Sequence, residues 1–149
     1  MGETGMIGHR IKEVGLGNLI RTTAMDEESK STNKAKDIQK DVSVLARFID
    51  IFCANNHSGD GKSRLQAKGD VADYLKNPSL ALCPDCSKLL SHGVSKRISC
   101  PYDPKPRCKR CPTPCYAEGY REKIREVMRF SGAYLLKRGR LDLAMKYFF

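Results

Sequence analysis

From Asn33 onward, apolar side chains fall at Ile38, Val42, Leu45, Ile49 and Phe52, at intervals of four, three, four and three residues. That period sets them on one face of a helix. The helix is expected to end near Asn55 to His57, because Asn56-His57-Ser58-Gly59-Asp60-Gly61 is rich in turn formers and opens a polar loop to about Gly69. Val71 to Lys76 reads as a short helix before Pro78. Cys83-Pro84-Asp85-Cys86 begins another, with Leu89, Leu90, Val94 and Ile98 apolar and Gly93 weakening it. Between residues 99 and 115, Pro101, Pro104, Pro106, Pro112 and Pro114 exclude regular helix and leave a loop whose shape must come from something other than backbone ladders.

A second strong helix is predicted from Tyr116 towards Leu136, with Tyr120, Ile124, Val127, Met128, Ser131 and Leu135 on one face and Gly132 as an interruption. Leu141, Ala144, Met145 and Phe148 suggest a further turn or two. No alternating strand pattern of useful length occurs. The pattern therefore predicts an all-α class: a small helical domain organised around a cysteine- and proline-rich loop. Upstream, residues 1–33 show no sustained apolar period and carry Gly2, Gly5, Gly8, Gly15 and Gly17, so a flexible N-terminal extension over 1–33 and a single helical domain over 34–149 are expected. Met25 leads into Asp26-Glu27-Glu28-Ser29-Lys30-Ser31 and the first strong helix, so a chain begun there would still hold the predicted domain.

Composition makes the core thin. Leu, Ile, Val and Phe together supply 32 of 149 residues, just above the level at which a highly charged chain stays disordered. No run approaches 18 apolar residues and the first 30 lack a secretory signal pattern, so neither a membrane-spanning nor a secreted protein is expected. In the cytoplasm thiols stay reduced, and clustered cysteines there read first as metal ligands.

Six of the seven cysteines, Cys83, Cys86, Cys100, Cys108, Cys111 and Cys115, fall within 33 residues. Two neighbouring thiolates on a tight turn can reach one tetrahedral ion, which gives the pairs Cys83/Cys86 and Cys108/Cys111 their meaning. Two arrangements remain open on spacing: a compact four-thiolate site from Cys100, Cys108, Cys111 and Cys115, or one site joining the two pairs across the loop. Cys53 and His57, at i and i+4, project from one helix face and would bring the donors to eight, enough for two tetrahedral sites. Their plainer reading is a core thiol and a loop histidine. His92 reads as an exposed helix residue. Zinc and an iron–sulfur cluster both suit thiolate donors. Metal would also supply folding energy that the core lacks. A dithiol oxidoreductase using Cys83 and Cys86 is a third reading, with the missing βαβ context against it.

Charge is concentrated towards the C-terminus. From Lys96 onward lie 14 of the 27 Lys and Arg but only 5 of the 17 Asp and Glu, so that stretch carries +9 of the net +10. It could contact nucleic acid or an acidic protein, with Arg121, Arg125 and Arg129 as the stripe that does so. Glu118, Glu122 and Glu126 each precede one of these arginines by three residues, so the stripe reads equally as a self-paired solvent face. No Ser-His-Asp signature or dinucleotide motif occurs, and Gly59-Asp60-Gly61-Lys62-Ser63 lacks the leading glycine and strand of a phosphate loop. No catalytic residue is assigned, and an enzyme is not the favoured class.

The order of residues has a further meaning. Ile51-Phe52-Cys53 with His57, Leu82-Cys83-Pro84-Asp85-Cys86 with Leu89-Leu90, Cys100-Pro101, Lys105-Pro106 with Cys108, Cys111, Cys115-Tyr116, and Arg121-Glu122-Lys123-Ile124-Arg125 leading to Val127-Met128-Arg129 and Ser131-Gly132 resembles the nitrous oxide-stimulated promoter family of small bacterial proteins. The resemblance covers about residues 37 to 136. It implies a setting, expression under nitrogen-oxide or nitrosative conditions, and no particular reaction. It also implies a histidine before the last cysteine and another beside His57, where this chain has Pro114 and Asn56. The family's glycine-proline-arginine-methionine is replaced by Gly132-Ala133-Tyr134-Leu135. Together these readings lead to the expectation of a cytoplasmic, cysteine-ligated metalloprotein of the bacterial nitric oxide response.

Overall fold

The computed structural model describes residues 17–142 except Asp60 and Pro78, with side chains from Ser29 onward. The elements run α1 (Gly17–Asn56), β1 (Ser63–Arg64), α2 (Asp70–Tyr74), β2 (Ala81–Leu82), α3 (Pro84–Ile98), a 3₁₀ turn (Cys108–Arg110) and α4 (Glu118–Lys137). Two compact units divide the chain, residues 1–33 and 34–149. In the first, the described backbone is helical from Gly17. Helix therefore begins well before the apolar period does: from Asn18 to Asn33 no proline or glycine interrupts the chain, so nothing in the backbone stops it. The further turns expected around Ala144, Met145 and Phe148 lie outside the described residues.

The second unit is built on the stripe of α1. Ile38, Val42, Leu45, Ile49 and Phe52 are buried as their spacing requires, and Phe48 and Cys53 beside them are fully enclosed. Against this face pack Leu89, Leu90 and Val94 of α3 and Val127 and Leu135 of α4, forming one core. Tyr120, Ile124 and Met128 cover its edge, half-buried. At Gly93 a Cβ would lie 2.7 Å from Leu45 Cδ2 and 3.2 Å from Tyr116 Oη. The glycine that weakens α3 by propensity is thus what lets α3 approach α1. Ser131 Oγ, fully buried on α4, donates a 2.6 Å hydrogen bond to the Phe48 carbonyl of α1.

The segment between α1 and α3 contains a small departure from all-α structure. Ser63 pairs with Leu82 and Arg64 with Ala81 in an antiparallel two-stranded ribbon, and the Leu65 amide donates to the Leu80 carbonyl. Two residues per strand are too few to show an alternating pattern, and the ribbon is invisible in the sequence for that reason. It has a consequence for the site. Leu80 and Leu82 are buried, and the ribbon returns the chain to the end of α1, delivering Cys83 beside Cys53. Gln39 Nε2 donates to the Tyr74 carbonyl, fastening the end of α2 to α1.

Candidate metal centre

Four donors meet where the end of α1 faces the start of α3. The ligand atoms of Cys53, His57, Cys83 and Cys86 all lie within 4.8 Å of one another. His57 Nδ1 is 3.2 Å from Cys83 Sγ and 3.3 Å from Cys86 Sγ. A tetrahedral zinc ion with thiolate and imidazole ligands separates its donors by about 3.6–3.8 Å, as its bond lengths require. The donor set and its spacing fit such an ion. Each cysteine is at most 2% exposed, so the thiols are closed off from bulk water while His57 forms the half-buried lid.

Local sequence explains the placement. Cys83 is the N-cap of α3, with Pro84 at the first helical position, where its missing N–H costs nothing. From there Cys83 Sγ accepts a 3.4 Å hydrogen bond from the Cys86 amide, and the two-residue spacer brings both sulfurs to one turn. The Cys83 amide in turn donates to Cys53 Sγ at 3.4 Å. On α1, the His57 amide bonds to the Cys53 carbonyl at 3.1 Å, so the helical turn persists far enough to put i and i+4 on one face. Asn55 and Asn56 side chains donate to the Ile51 and Phe52 carbonyls, each four residues back, at this end of the helix. The Phe52 ring meets His57 edge-on at 5.5 Å and fixes its orientation.

The electrostatics separate the two cysteines of α3. Burial pushes the Cys83 thiol up, but hydrogen bonds from the Cys86 amide and side chain, from Cys53 and from the Asp85 amide outweigh it and hold it below its ordinary value. Burial pushes Cys86 up, and its hydrogen bond to Cys83 and the nearby Cys53 push it further. The Cys83 thiol therefore gives up its proton more readily than the Cys86 thiol.

The remaining predicted donors lie elsewhere. Cys100 follows the last turn of α3, Cys108 and Cys111 bracket the 3₁₀ turn, and Cys115 precedes Tyr116. Among the described residues they do not join the Cys53–His57–Cys83–Cys86 group, so the two C-x2-C pairs sit apart. All seven cysteines are free thiols. His92 is half-buried, where the sequence suggests exposure: its ring stacks on Tyr120 at 4.0 Å and meets Tyr116 at 5.4 Å. Burial lowers its pKa, with Lys96 adding to the effect. On α4 the ladder from Glu118 to Arg129 does not close. Among the described residues the ion pair on that helix is Lys123 with Glu126, at 2.9 Å, while Arg125 and Arg129 are exposed and Arg121 half-buried. No helix among the described residues is long and apolar enough to cross a membrane.

Fold and site together define a helical protein in which α1 and α3 close a three-cysteine, one-histidine pocket able to hold a metal ion. The chain belongs to the nitrous oxide-stimulated promoter family, whose model matches residues 36–146. It is similar to an uncharacterised Escherichia coli (strain K12) protein, YgbA: 34% identical over 65 residues, which make up 42% of this chain and 56% of that protein. The chain thus spans little more than half the length of that relative. No solved structure matches.

Proposed function

We propose that the protein is a cytoplasmic bacterial metalloprotein that holds one zinc ion on Cys53, His57, Cys83 and Cys86 and acts in the response to nitric oxide. The observation that carries the metal assignment is the mutual 4.8 Å limit on the four donor atoms. Such a spacing has room for a single ion, whereas an iron–sulfur cluster interposes several metals and sulfides between its ligands. Three sulfurs and one imidazole suit zinc. When bound, zinc keeps the three thiols ionised and ties α1 to α3, adding binding energy to a thin core. The nitric oxide setting is our extension of the family's description, nitrous oxide-stimulated promoter. Seven reduced thiols suit a reducing compartment.

Burial supports a structural role for this centre. Cys53, Cys83 and Cys86 are at most 2% exposed, so reagents in solution meet them slowly and the centre is structural. The experiment is complementation of a deletion strain growing under a nitric oxide donor. Wild-type restores growth and Cys83→Ser does not, while equal growth of the deletion strain and its parent under the donor would remove the cellular part of the proposal. A second reading rests on Arg125 and Arg129, exposed and outside the described ion pairs: a basic module whose α4 contacts nucleic acid or an acidic protein. Binding of this kind must weaken steeply with salt, so a titration with duplex and single-stranded nucleic acid at two salt concentrations tests it.

A further inference from the structure

Four cysteines remain unused by the centre at the start of α3, and they share the opposite end of that helix. Cys100 comes directly after the C-cap Ser99, its amide bonded to the Arg97 carbonyl at 3.3 Å, so it is held by the helix terminus. Cys108 and Cys111 flank a 3₁₀ turn closed by the Cys111 amide on the Cys108 carbonyl, which sets their side chains on one tight turn. Tyr102 and Thr113 join hydroxyls at 2.7 Å across the loop, drawing the arm that carries Cys100 against the arm that carries Cys111 and Cys115. Tyr116, half-buried with its hydroxyl against Gly93 and its ring against His92, anchors Cys115 to α3. These contacts keep the four cysteines within one short loop at the C-terminal end of α3.

We infer that Cys100, Cys108, Cys111 and Cys115 form a second metal site, a four-thiolate site for zinc, carried by the proline-rich loop and distinct from the buried centre. A helix of 15 residues, about 22 Å long, separates Cys83 from Cys100, so the two sites cannot exchange ligands. Four thiolates around a dication leave a net double negative charge, and Arg107, Lys109 and Arg110 stand in the same loop to offset it, against the single carboxylate of Asp103, while Lys105 pairs with Asp41 at 3.8 Å. Among the described residues the four do not form a ready-made donor group as the buried set does, so binding must draw the loop in. Cys111 Sγ now donates to the Thr113 carbonyl at 3.3 Å, a proton that the ion displaces. Cys108 and Cys115 are exposed, which makes this the accessible and labile site of the two.

The inference is independent of the function proposed for the buried centre, and one experiment separates them. Full-length protein is purified anaerobically from zinc-supplemented cells and its zinc per chain measured, together with Cys53→Ser and the double variant Cys108→Ser/Cys115→Ser. Two zinc ions per chain are expected in the wild type and one in each variant. Cobalt-loaded double variant should lose the four-thiolate component of the visible spectrum and keep the three-thiolate, one-nitrogen component. Because Cys108 and Cys115 are exposed, the double variant should keep its helical circular dichroism. One zinc per chain in the wild type, lost with Cys53→Ser and kept in the double variant, overturns the second site and leaves the first. Disulfides among the four cysteines in the anaerobic protein also overturn it.

Discussion

Replacing Cys83 by Ser separates two roles that one sulfur combines. Cys83 caps α3 by accepting from the Cys86 amide, and it lies 3.2 Å from His57 Nδ1 as a candidate ligand. Serine is among the best N-cap residues, so the variant keeps the cap but loses a soft donor; alanine loses both, at about 1 kcal/mol for the cap. Losing a group that merely supports a ligand already costs roughly 10–100-fold in metal affinity, so losing a ligand should cost at least about 100-fold. Linkage converts this into stability. At free zinc about 100 times the wild-type Kd, binding stabilises the wild type by about 2.7 kcal/mol. The same zinc reaches only the Kd of the variant and stabilises it by about 0.4 kcal/mol. The assay is urea denaturation of both proteins with buffered zinc and with chelator. In chelator, Cys83→Ser should match the wild type and Cys83→Ala should lie about 1 kcal/mol below. Zinc binding by Cys83→Ser within a few-fold of the wild type, or a wild-type midpoint unchanged by chelator, would refute a ligand role for Cys83.

Ser131→Ala should cost about 1–3 kcal/mol in urea denaturation, because the 2.6 Å bond to the buried Phe48 carbonyl is lost and the hydroxyl leaves a small void, with metal content unchanged. Gly93→Ala should cost about 1–3 kcal/mol, since its Cβ would meet Leu45 Cδ2 at 2.7 Å, and the double variant with Leu45→Ala should cost less than the sum of the two single effects. The sign of the pH dependence follows from the thiols. Cys83 is held below its ordinary value and Cys86 above, so near neutrality zinc displaces at least the Cys86 proton. Affinity should then rise by about tenfold per pH unit for each proton released and fall on acidification. Calorimetry in two buffers of different ionisation enthalpy reads that proton directly.

The helical face of α1 is legible in the sequence because a single stripe carries much of the burial there: Ile38, Val42, Leu45, Ile49 and Phe52 are each enclosed, with Phe48, Ile51 and Cys53 beside them. The same logic gives α3 and α4. Cys53 and His57 are legible as a pair through their i, i+4 spacing, and Cys83 with Cys86 through theirs. That these two pairs meet is not legible, because a ribbon of two residues per strand makes the join and has no periodic signature. The six clustered cysteines suggest one centre by proximity in the chain, yet α3 holds Cys83/Cys86 at one end and Cys100 at the other. Side-chain partners are the least readable of all. His92 shows no ligand spacing and finds Tyr120 instead, and Glu126, expected beside Arg129, pairs backwards with Lys123.

The central claim is that the closure of α1 on α3 holds a metal ion. X-ray absorption on anaerobically purified, full-length Cys108→Ser/Cys115→Ser protein tests it most directly, because the buried centre is then read with the loop disabled. Zinc with three sulfur neighbours at about 2.3 Å and one nitrogen neighbour at about 2.0 Å is the predicted result. Folded protein with native helical content and no bound metal would contradict it.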